Sequence, residues 1–138
     1  MPPGSPLDPA NWQAGVYRLS AVITNAARDR TTNALPLVLA PLVRQIAPAA
    51  VPGGITFTVI VSPPVRAGQR VSLIVGTTEL IAQPLASPPA TTVTFSGTGF
   101  TSGAVLPVRL RVDGIDSILI DRSAHPPVFD PTQQVTIP

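Results

Sequence analysis

The chain has 138 residues, 44% of them hydrophobic and 12% charged; its nine basic residues are all arginine and face seven acids, for a net charge of +2. This length suits one core, the apolar content excludes a chain disordered throughout, and 18 prolines leave too few uninterrupted windows for an all-helical protein. The absence of cysteine excludes disulfides, thiolate metal sites and thiol nucleophiles, and so small a net charge lacks the basic stripe that nucleic acid requires.

Residues 1–13 form a proline-rich, extended lead without the basic and apolar regions of a signal peptide, so the expected site of synthesis and residence is the cytoplasm, or a particle released from it. Residues 16–24 alternate, with Tyr17, Leu19, Ala21 and Ile23 on one side and Val16, Arg18, Ser20, Val22 and Thr24 on the other, which predicts a strand. The polar stretch 25–33 reads as a hairpin loop and 34–40 as a return strand, an edge because of Pro36. The apolar run 34–43 is interrupted by Pro36 and Pro41 and is too short to span a membrane.

Further strands are predicted at 42–46, 55–61, 70–75, 91–96, 106–112, 117–121 and 134–137, separated by Gly- and Pro-rich turns. The stretch 77–83 is too short and too β-branched for a helix. This spacing predicts an all-β, antiparallel sandwich or barrel. Its core would be Val, Leu and Ile with a few aromatics, intolerant of charge at Phe57, Leu73 or Leu110.

Weak internal repetition relates residues 14–22 to 102–112, each followed by a polar loop and a last strand. Trp12 and Gly15-Val16-Tyr17 are similar to the approach to the penultimate strand of immunoglobulin-like sandwiches, where a Tyr packs the corner. Two divisions follow. Either residues 42–138 are a complete sandwich and residues 1–41 a lead plus the closing hairpin of another, or one sandwich uses the hairpin as extra strands.

Arg44-Gln45-Ile46-Ala47-Pro48, Ile55-Thr56-Phe57-Thr58-Val59 and Ala67-Gly68-Gln69-Arg70-Val71 with the strand that follows are similar to transcription-factor/plexin-type immunoglobulin-like domains. Val61-Ser62-Pro63-Pro64-Val65-Arg66, Val108-Arg109-Leu110-Arg111-Val112-Asp113-Gly114 and Phe129-Asp130-Pro131-Thr132-Gln133 with the residues after it resemble the C-terminal, immunoglobulin-like part of a cap or tail-terminator family. That family belongs to phage-tail-like extracellular contractile injection systems. The resemblance covers about the last hundred residues and implies an immunoglobulin-like antiparallel β-sandwich with an additional N-terminal β-hairpin. The family's N-terminal α/β domain has no counterpart, which shifts the implied role from terminator to structural or adaptor subunit.

Reagents for catalysis are sparse. His125, the single histidine, lies in a proline-rich loop without a nucleophile elbow. Asp113-Gly114-Ile115-Asp116 lacks the ligand spacing of a calcium loop and reads as a tight turn. Gly97-Thr98-Gly99 is too short to cradle phosphate, and Glu79 is the single glutamate. No catalytic, metal or cofactor site is therefore expected. Arg18, Arg109 and Arg111 are the candidate partner-binding residues: Arg109 and Arg111 share the outward face of one strand, and Arg18 holds the comparable position in the hairpin. Such arginines either keep a face solvated and unpaired or contact a subunit. The hairpin either packs on its own sandwich or adds to another subunit's sheet. The expected function is a non-enzymatic module binding protein subunits, itself included; the alternative is an extracellular adhesion or carbohydrate-binding module.

Overall fold

The computed structural model describes residue 8, residues 11–25 and residues 28–138. Among them the regular structure is β throughout, save for 3-10 turns such as Pro131–Gln133. The chain opens with β1 (Gly15–Leu19), β2 (Val22–Thr24), β3 (Asp29–Thr31) and β4 (Leu35–Leu39). β1 pairs with β4 and β2 with β3, both antiparallel, so the two arms form one long ribbon.

The ribbon differs from expectation in two places. The strand expected over 16–24 is interrupted at Ser20 and Ala21, because the return arm carries one more residue there. The Ala21 N–H donates to the Thr32 hydroxyl and the Thr32 N–H to the Ala21 carbonyl, each at 2.9 Å, so the irregularity leaves these groups bonded. The loop expected over 25–33 shrinks accordingly to 25–28, of which 26 and 27 lie outside the described residues.

The remaining strands are β5 (Leu42–Val51), β6 (Gly54–Val65), β7 (Val71–Val75), β8 (Thr78–Ile81), β9 (Ala90–Gly97), β10 (Val105–Val112), β11 (Ile115–Asp116), β12 (Ile120–Asp121), β13 (Val128–Phe129) and β14 (Gln134–Thr136). They form a three-stranded sheet in the order β5-β6-β9 and a second sheet in the order β11-β10-β7-β8, with β14 beside β11 on the flank of β10 away from β7, while β12 and β13 pair with each other. Pro48, expected in a turn, lies inside β5; the strand is at a sheet edge, where the missing N–H need not break the ladder. β6 extends four residues past Val61 for a related reason: after a register shift, Val65 pairs again with Ala90. β8 was not expected. A turn at Gly76, where φ is +60°, folds it back on β7 so that Leu80 faces Leu73.

The two sheets share one apolar core. Ile55, Phe57, Val59 and Val61 enter it from β6, Val93 and Phe95 from β9, Leu73 and Val75 from β7, and Val108, Leu110 and Val112 from β10. The two-residue alternation read from the sequence therefore places the inward faces correctly, and Phe57, Leu73 and Leu110 are all fully buried. Closure is tight at one end: a Cβ on Gly54 would lie 2.5 Å from the Gly97 carbonyl oxygen.

Candidate interaction surfaces

From β1 to β4 no described residue between Gly15 and Val38 is buried, and none belongs to the core. Its attachment is at the root, where Ala14 is buried in the core and its carbonyl accepts from Gln69 Nε2 at 3.2 Å. Beside the root, the Tyr17 ring lies 5.0 Å from that of Trp12. The Tyr17 hydroxyl donates to the Gln13 carbonyl at 2.7 Å and accepts from the Gln13 N–H at 3.1 Å, which pins the start of β1 to the chain four residues upstream.

Cross-strand register sorts the ribbon's side chains into two faces. Tyr17 opposes Leu37 and Leu19 opposes Leu35 on one; Val16 opposes Val38 and Arg18 opposes Pro36 on the other. Both faces are apolar and both are open: Val16 is 66% exposed, Leu19 60% and Leu35 67%. The hairpin was an expected contact element through its strand edges; the apolar surface on its two faces is an addition to that expectation. A signal for it existed in Leu35-Pro36-Leu37-Val38-Leu39, apolar at every position, a pattern proper to a strand covered on both sides.

The three singled-out arginines have different surroundings. Arg18 is exposed on the valine face of the ribbon. Arg109 and Arg111 do share the outward face of β10, but they are engaged there: Arg111 Nε donates to Asp116 Oδ1 at 2.6 Å and NH2 to Oδ2 at 3.2 Å, while Arg109 NH1 reaches the same carboxylate at 3.3 Å. Glu79 adds a contact to Arg111 at 3.6 Å. These bonds hold the Asp116 carboxyl below its ordinary value, the hydrogen bond from Arg111 contributing most. The network closes over β7, where Ser72 and Ile74 are buried although they point away from the core. It is a largely self-neutralised lid.

Beside it runs an open groove of about 690 Å³ with an apolar floor and rim, including Val71, Ile81 and Leu85, with Arg70 and Glu79 at its margin. The outer face of the other sheet presents small neutral side chains in cross-strand rows such as Ala47-Thr58-Thr94 and Ala49-Thr56-Ser96. His125 is exposed on the loop between β12 and β13. Among the described residues, no three His, Asp or Glu side chains cluster as a metal site would need, and no helix is long and apolar enough to cross a membrane.

Fold and surfaces together define an all-β protein whose most open apolar surface is a projecting two-stranded ribbon. A family described as a domain of unknown function, DUF8756, matches residues 22–136, and the chain belongs to it. The match takes in the outer part of the ribbon as well as both sheets. No curated protein and no solved structure matches the chain.

Proposed function

We propose that this protein is a non-enzymatic, immunoglobulin-like structural or adaptor module of a phage-tail-like, contractile-injection-type particle, made in the cytoplasm and binding neighbouring protein subunits through the ribbon and its sheet edges. The observation that carries this reading is the ribbon: an isolated two-stranded hairpin is marginal in water, and one with aliphatic side chains on both faces calls for a covering surface. The particle assignment draws on the sequence resemblance of the last hundred residues. Arg18, on the ribbon, is the arginine best placed to meet a subunit; Arg109 and Arg111 would meet one only through the outer surface of their network.

The test is co-sedimentation from the cells that make the protein. The chain should pellet with tube- or sheath-containing particles, and a Leu19→Asp, Leu35→Asp variant should stay in the supernatant while remaining folded. A wild-type chain that never enters the particle fraction overturns the proposal.

A further inference from the structure

We infer that the partner of the ribbon's β1 edge is a second copy of this chain, paired antiparallel about a twofold axis through Tyr17. The inference deepens the proposed function, resting on it only in treating the ribbon as a contact element.

Three observations converge on this occupant. The first is exposure. The seven large aliphatic residues of the ribbon, Val16, Leu19, Val22, Ile23, Leu35, Leu37 and Val38, are 46% to 67% exposed. A two-stranded ribbon this open is marginal in water, and strands added at its edge stabilise it.

The second is the state of the strand edges. β5 carries Pro48 and a register irregularity at Arg44, and β4 carries Pro36. The segment leaving β8 is tied to β9 by the Gln83 N–H to Thr94 carbonyl bond and the Ala82–Phe95 bridge. The flank of β10 away from β7 is occupied by β11, Ser117 and β14. Among the described residues, the outer edge of β1 has none of these obstructions: five residues without proline, paired on one side only.

The third is self-complementarity. An isologous contact must match a surface to itself. With the axis at Tyr17, Val16 of one copy faces Arg18 of the other, Gly15 faces Leu19, and the two Tyr17 residues meet, so the single charge of β1 never opposes its own copy. Moving the axis one residue, to Arg18, would set the two guanidinium groups against each other. Pairing at Tyr17 produces a four-stranded sheet, β4-β1-β1-β4, in which the Tyr17-Leu37 row of each copy continues into that of the other. That width takes the ribbon past the two-strand limit of marginal stability.

The experiment is sedimentation equilibrium of the full chain from micromolar to hundreds of micromolar, with two variants that leave the core untouched. Wild type should approach twice its 14.3 kDa. Val16→Arg brings like charges together at two symmetry-related places and should weaken the dimer about tenfold or more. Adding Arg18→Glu turns each into an opposite-charge pair and should restore the wild-type mass. A monomeric wild type at the highest concentration overturns the inference, as does a dimer indifferent to Val16→Arg or one not restored by the double change. A monomer that still co-sediments with particles removes self-association alone, whereas a dimer that never does so removes the particle reading alone.

Discussion

Ser117 shows how a single hydroxyl stands in for a strand. It is buried, its hydroxyl accepts from the Leu110 N–H at 3.0 Å, and its own N–H donates to the Leu110 carbonyl at 2.7 Å, continuing the flank of β10 between β11 and β14. Ser117→Ala would leave a buried N–H without its partner, so a loss of about 1–3 kcal/mol is expected in chemical denaturation. Asp116 acts by charge. Its folded-state pKa lies below the ordinary 3.8, so its contribution is complete above the unfolded value and disappears as pH falls through the folded one. Asp116→Asn should therefore lower the thermal midpoint at neutral pH by a few degrees at most, the network being partly exposed, with the difference from wild type closing in strong acid. This pairing was within reach of the sequence. Asp113-Gly114 forms the expected two-residue turn, with φ of +48° and +83°, and such a turn sets Val112 against Ile115 and hence Arg111 against Asp116. The covering of Ile74 was not, because it depends on side chains brought across from β10 and β8.

Among the elements, those with strict alternation were the legible ones. β6, β7 and β10 lie where the pattern puts them, since a period of two is a property of extended backbone and needs no knowledge of neighbours. Errors gathered at edges and turns. Pro48 reads as a breaker only if the strand is assumed to have a neighbour on each side. β8 carries a mixed pattern because its Leu80 alone is buried. Two predictions follow from this division. Gly54→Ala would drive a methyl group into the backbone of Gly97, which no rotamer change relieves, and should cost about 1–3 kcal/mol by calorimetry. In the ribbon, Leu19→Ser with Leu35→Ser removes exposed groups outside the core, and the unfolding free energy measured at high dilution should stay within about 0.5 kcal/mol of wild type.

For the molecule as a whole, stability resides where the two sheets meet. Leu110→Ala, at a fully buried position facing Leu73 across the ladder, should cost about 2–5 kcal/mol in equilibrium unfolding. The ribbon adds little to that core beyond Ala14 at its root. This partition explains which inferences from sequence succeeded. Composition and periodicity sufficed for an all-β chain, for the inward residues of its long strands and for the Asp113-Gly114 turn, because each reflects conformational preferences acting over a few residues. Which strand lies beside which, whether Arg109 and Arg111 are available or already paired, and that an apolar hairpin stands outside the core instead of within it, were settled by contacts between residues far apart in the chain. Gln69 holding Ala14 and Gln133 reaching the Val43 carbonyl are two of them, and burial is a property of such distant meetings, which no local pattern encodes.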